Sequence, residues 1–181
     1  MNRQTKPIRF KYEEAKATQV ILWFLHRHGI TDKLKLVKMV FFADREHLAR
    51  YGRPIVGGAY CAMPYGPVSS ELLNHIDKIN DEKNPPFVLR GYQLHPQSQF
   101  NEDYLSESDV EILEEVDNKY GKCDPFTLSN ITHQLKAYKK HCQKNTHTSV
   151  PLPYEDFFLD LDDRSILDII REDQASLADL E

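Results

Sequence analysis

The chain has 181 residues and a formal net charge of −5, long enough for one domain with a substantial core and short for two. The acidity is uneven. Residues 155–181 hold ten acids against two arginines, a net of −8, leaving residues 1–154 at +3 with bases and acids interspersed, which argues against a phosphate-binding face. The three cysteines, Cys61, Cys123 and Cys142, have no repeated spacing, no apolar run approaches the ~20 residues a bilayer requires, and the first residues lack a secretory apolar segment; a cytoplasmic protein that does not enter a membrane is expected.

Taken in chain order, Ala17, Val20/Ile21, Phe24/Leu25 and His28 recur at helical spacing over residues 13–28 until Gly29 stops the run. Asp32 is placed to cap a second helix, whose apolar positions Leu34, Val37, Val40/Phe41, Leu48 and Tyr51 make a stripe wide enough for a central helix, ending at Gly52. Gly57-Gly58, between Ile55-Val56 and Ala59–Ala62, reads as the turn of a β-hairpin, and Gly66-Pro67 as the opening of a helix with Leu72/Leu73, Ile76 and Ile79 inward. Residues 87–95 read as one strand. Ser106 with Asp109 forms a capping signature, stapled by Leu105 and Val110, for a helix running through Leu113, Val116/Asp117 and Tyr120 to Gly121. Asp124-Pro125 opens a further helix with Leu128, Ile131, Leu135 and Tyr138 inward; residues 142–153 read as a loop. Ser165 with Asp168 caps a last helix bearing Ile166, Ile169/Ile170, Leu177 and Leu180. The expected fold is α+β, a mostly helical single domain with a small antiparallel β-sheet or hairpin.

Three ordered blocks carry a family resemblance. Lys35, Lys38, Phe41, Ala43 and Asp44, then Tyr60 and Ala62, then Tyr65-Gly66-Pro67-Val68 form the first; Leu128-Ser129-Asn130-Ile131-Thr132-His133 the second; Tyr154-Glu155-Asp156-Phe157 the third. In these the chain resembles the Panacea-domain family, the SocA-like antitoxins and their phage-associated relatives. The departure is Lys136-Ala137-Tyr138, where the family often has proline, alanine and tryptophan. The resemblance implies residues 1–162 as the Panacea-like domain, with 163–181 an acidic C-terminal helical extension. It also implies a non-enzymatic protein that neutralises a cognate toxin encoded nearby by direct binding, or, in the pattern of some relatives, hands the toxin to a protease. Many relatives add a helix-turn-helix module; with no room for one outside the matched blocks, transcriptional autoregulation is not expected, and nucleic acid is not an expected partner.

Several residues invite chemistry. Asp44 falls on the apolar stripe of the second helix, where a carboxylate needs partners such as the Tyr60 or Tyr65 hydroxyl, an arginine or His133. A structural polar role is expected for Asp44 and His133; the rival is an enzyme using the two for acid–base chemistry. No nucleophile elbow is present. His26/His28 and His133/His141/Cys142/His147 lack paired zinc-ligand spacing, so neither metal nor cofactor is expected. Lys33, Lys35 and Lys38 read as a solvated helix face and Gly57-Gly58 as a turn, not a cradle. Tyr60, Tyr65, Gly66, Pro67 and Val68 are the candidate partner-binding residues, a strand-to-helix corner whose rigid aromatic and proline content also suits a binding anchor.

Overall fold

The computed structural model describes residues 6–142 and 149–178. Helix α1 (Glu14–His28) buries Ala17 and the run Val20–Leu25 and stops at Gly29. After the two-residue strand β1 (Thr31–Asp32), α2 (Lys33–Tyr51) begins where the Asp32 carboxylate accepts the Leu34 and Lys35 amides, and ends at Gly52 in the left-handed conformation. Every side chain of α2 from Leu36 to Asp44 is buried. A helix enclosed all round must satisfy its polar groups inside the protein, which makes α2 the place to look for unusual chemistry.

The remaining elements wrap this helix. Strands β2 (Tyr60–Met63) and β3 (Gly66–Ser69) form an antiparallel hairpin, with Tyr60 opposite Ser69 and Met63 opposite Gly66, followed by α3 (Ser70–Lys78). A second hairpin joins β4 (Phe87–Arg90) to β5 (Gln93–Pro96), and β1 pairs with β5 to complete one three-stranded sheet. Then come α4 (Glu107–Tyr120), α5 (Pro125–Gln134) and α6 (Lys136–His141). Strand β6 (Val150–Pro151) completes the other sheet, in the order β3-β2-β6, and α7 (Ser165–Ala178) follows. Helices α1, α4, α5 and α7 and strand β3 all pack on α2. Among the described residues no helix is long and apolar enough to cross a membrane.

The α+β class and the mostly helical single domain are as the sequence implies, but six local readings are corrected. The first hairpin does not turn at Gly57-Gly58; it turns at Pro64-Tyr65, and the two glycines, at φ of 72° and 94°, bend the chain against the N-terminal segment, where the Gly58 amide donates to the Phe10 carbonyl at 3.1 Å. Gly66-Pro67 does not open a helix. It lies in β3, an edge strand, where a missing amide breaks no ladder, and Ser69 caps α3 instead. Residues 87–95 are two strands, because Gly91, at φ 60°, reverses the chain where alternation alone reads straight through.

The helix opened by Pro125 breaks at Leu135, whose extended backbone separates α5 from α6. Within the expected loop 142–153, Val150 and Pro151 pair with Ala62 and Cys61, while 143–148 lie outside the described residues. In α7 the buried positions are Leu167 and Ile170, Ile169 being exposed, and the Ser165 amide is itself taken by the Asp163 carboxylate. Leu180 and the side chain of Leu177 lie outside the described residues.

Candidate functional site

Asp44 is fully buried and accepts four hydrogen bonds. The Ile55 and Val56 amides donate to one carboxylate oxygen at 2.9 Å each; the Gly57 amide, at 3.0 Å, and the Tyr60 hydroxyl, at 2.9 Å, donate to the other. Burial pushes its pKa up to about 6, against the pull of these donors. Gly57, which reads from sequence as a plain turn, therefore does form a cradle, though for a side-chain carboxylate. A Cβ there would lie 2.5 Å from the Lys11 carbonyl, so only glycine fits between the N-terminal segment and Asp44. The third sequence block closes the same region: the Tyr154 hydroxyl donates to the Gly58 carbonyl at 2.7 Å, and Phe157 packs against Phe41 and Tyr60.

Lys38 lies on the same helix and is a correction to the solvated lysine face. Lys33 pairs with Asp77 and Lys35 donates to the Gly121 carbonyl at 2.6 Å, but Lys38 is only 1% exposed. Its ammonium makes one hydrogen bond, 2.8 Å to the Pro67 carbonyl, and among the described residues no carboxylate pairs with it. Burial pushes its pKa down to about 7. Leu34 at i−4 and Phe41 at i+3 place Lys38 on the apolar stripe, the same spacing argument that locates Asp44, so the signal is present in the sequence.

Above Lys38 opens a cavity of about 450 Å³. Its floor is Leu34, Val37 and Lys38 of α2, one wall is the β2–β3 turn from Met63 to Gly66, and its rim carries Tyr65, Tyr92 and Phe126, which are 60%, 80% and 64% exposed. Only three charged side chains line it, and Asp32 and Lys33 are already engaged by the start of α2 and by Asp77. Of the five anchor candidates, Tyr65, Gly66 and Val68 line the cavity. Tyr60 and Pro67 do not: both are buried, Tyr60 against Asp44 and Pro67 in β3. Tyr92, Phe126 and Lys38 are not among those candidates; the two aromatics come from loops and helix ends that only the tertiary fold brings to the turn.

The second sequence block holds that turn in place. Ser129 donates to the Tyr65 carbonyl at 2.9 Å, Tyr138 donates to the Met63 carbonyl at 2.8 Å, and the His133 ring stacks on Tyr138 at 4.6 Å. At Gly66, φ is 100° and an added Cβ would collide with the Thr132 hydroxyl and approach the Lys38 nitrogen to 3.2 Å. The His133 pKa is lowered, first by burial and then by Lys38, and its Nε2 is a buried atom without a hydrogen-bond partner among the described residues.

Asp44 and His133 have no hydrogen-bond partner in common and neither lines the cavity. The histidine groupings do not come together either: His26 meets the Ser98 carbonyl, His28 meets Asp117 and His141 meets Asp156, while His147 lies outside the described residues. One group with metal-ligand proximity among the described residues is Glu14, His75 and Glu82, two of them exposed. A second concavity, of about 940 Å³, lies between α1 and α4, but its carboxylates are solvated and Glu111, Glu114 and Glu115 are paired with Arg27 and Arg50.

Most of the residues that supply the floor, the turn and its clamps fall within a family match. The family model described as antitoxin SocA-like, Panacea domain, covers residues 36–139, more than half of the chain. The chain belongs to this Panacea-domain antitoxin family. Lys38, Asp44, Tyr65, Phe126 and Tyr138 all fall inside the match, whereas the Tyr154 block and α7 fall outside it. Membership supports an antitoxin role in general, with a toxin as the class of partner. No curated protein and no solved structure matches the chain.

Proposed function

We propose that this Panacea-domain protein neutralises a cognate protein toxin, encoded nearby, by direct contact in the cytoplasm, and that the contact is made at the aromatic-rimmed cavity over Lys38. Family membership carries the reading. The location is supported by Tyr65 and Phe126, two exposed aromatic side chains with ring centroids 6.5 Å apart at the mouth of an apolar cavity. Large side chains with few rotatable bonds contribute most to binding when they are already held in place, and the Ser129 and Tyr138 bonds hold the turn that carries Tyr65. The partner is a protein, not a nucleic acid, because the surface that frames the cavity is apolar where phosphate recognition needs clustered cations. The matched region is the neutralising unit, and the acidic extension 163–181 is an accessory to it.

Co-expression with the product of the adjacent gene tests the proposal. Growth arrest caused by that product is relieved, the two proteins co-purify, and Tyr65→Ala with Phe126→Ala abolishes both effects while the variant remains folded. Rescue without co-purification rejects neutralisation by binding, and full rescue by the double variant rejects this surface.

A further inference from the structure

Lys38 is expensive for the fold to keep. An ammonium group buried without a counter-ion costs several kcal/mol, and Leu or Met at the same place fills the space without that cost. Lys38 has three N–H donors and, among the described residues, one acceptor, the Pro67 carbonyl at 2.8 Å. The apolar side chains of Leu34, Val37 and Val68 line the cavity together with it. The other two charges on the lining are engaged, which leaves Lys38 as the one lining charge without a counter-ion among the described residues. His133, whose pKa is lowered first by burial and then by Lys38, adds a second nitrogen without a hydrogen-bond partner among the described residues.

We infer that the cavity over Lys38 is a carboxylate-binding site, which receives an acidic group borne on an apolar segment of the protein partner. A carboxylate supplies the counter-charge that the fold withholds, and a charge-assisted bond formed away from water is among the stronger contacts available to an interface. The aromatic rim accepts the apolar side chains flanking the acid. A free small carboxylic acid meets the ammonium but leaves Tyr65, Tyr92 and Phe126 uncovered, whereas a protein segment covers both. The inference rests on the proposed toxin contact at this cavity and adds its chemistry: the toxin inserts an acid.

The probe is a capped Phe-Leu dipeptide with a free C-terminal carboxylate, compared with its C-terminal amide. Both are titrated into the full-length protein, with binding followed by NMR of the Lys38 ammonium and the Tyr65 and Phe126 rings. The acid binds at least about tenfold more tightly than the amide, the Lys38→Met variant loses that preference, and the toxin displaces the bound acid. The acid–amide ratio of the unaltered protein stands independently of how any variant folds. Equal binding of acid and amide, or a preference that survives Lys38→Met, overturns the inference. A toxin complex that forms without displacing the acid also overturns it, and leaves neutralisation by binding intact. A protein that prefers the acid through Lys38 but neither binds nor neutralises the toxin overturns the functional reading and supports the carboxylate site.

Discussion

Asp44 and Lys38 stand six residues apart on one buried helix, carry opposite charges and are almost equally hidden from solvent. Their surroundings differ completely. Asp44 is met by three backbone amides and a tyrosine hydroxyl from the loop and strand that follow α2, and it does not line the cavity; Lys38 lines it and has, among the described residues, one carbonyl as partner. Six residues turn a helix by about 240°, so the two point into different compartments of the same core. The contrast teaches how to tell a brace from a contact: a buried charge whose hydrogen-bonding capacity is filled holds structure, and one left short while facing a cavity is available to something outside.

The largest effect belongs to the filled site. Asp44→Ala leaves three amides and one hydroxyl without an acceptor in the interior and is expected to lower stability by about 3–5 kcal/mol, measured by urea unfolding. A loss below about 1 kcal/mol means that water reaches those donors, and the contrast with Lys38 collapses.

The opposite sign is expected at Lys38. Lys38→Met removes a buried, uncompensated charge and should stabilise the free protein by about 1–4 kcal/mol. The pH dependence sharpens this result. Because burial lowers the Lys38 pKa from 10.5 to about 7, the unfolded chain holds more protons than the folded one between those values, so this residue makes stability rise with pH. Above pH 10 the trend is opposed by Tyr60 and Tyr154, whose raised pKa values reflect burial and the nearby Asp44 charge. Unfolding measured at pH 7 and pH 9.5 should therefore show a rise in the unaltered protein that is smaller in Lys38→Met. An identical rise in both places the ammonium in contact with water.

Local chemistry makes much of the fold legible in the sequence. Capping by Asp32, by Ser106 with Asp109, and by Asp124 depends on neighbouring residues alone, and the starts of α2, α4 and α5 follow it. The burial of Asp44 follows from its spacing. Lys38 has the same spacing and nevertheless reads as part of a solvated face, because two flanking lysines make the segment look hydrophilic; tertiary packing separates the three. The hairpin turn is misread for a related reason. A Gly-Gly pair signals positive φ, and both residues have it, but only the distant Phe10–Lys11 segment and Asp44 show what that backbone is for. The dependence of the Pro64-Tyr65 turn on Ser129 and Tyr138 spans more than sixty residues and leaves no mark in periodicity.

That dependence gives a smaller effect, between brace and contact. Tyr138→Phe keeps the stack on His133 and removes the donor to the Met63 carbonyl, for an expected loss of about 0.5–1.5 kcal/mol. Amide hydrogen exchange should quicken at Tyr65 and Gly66 more than in α2. Uniform quickening across the chain argues that the hydroxyl supports the whole domain and not the turn.

The smallest change in stability is expected at the rim, where the effect on binding is greatest. Tyr65 and Phe126 are mostly exposed, so Tyr65→Ala or Phe126→Ala should alter unfolding by no more than about 0.5 kcal/mol. If the cavity is the contact surface, each change weakens the toxin complex at least about tenfold, the scale of an interface anchor. Calorimetric titration of each variant with the toxin, alongside thermal unfolding, separates the two quantities. Lost binding with unchanged unfolding assigns the rim to the partner and completes the contrast with Asp44; unchanged binding leaves Lys38 buried beneath a surface that the toxin does not touch, and the cause of its retention must then be sought within the fold.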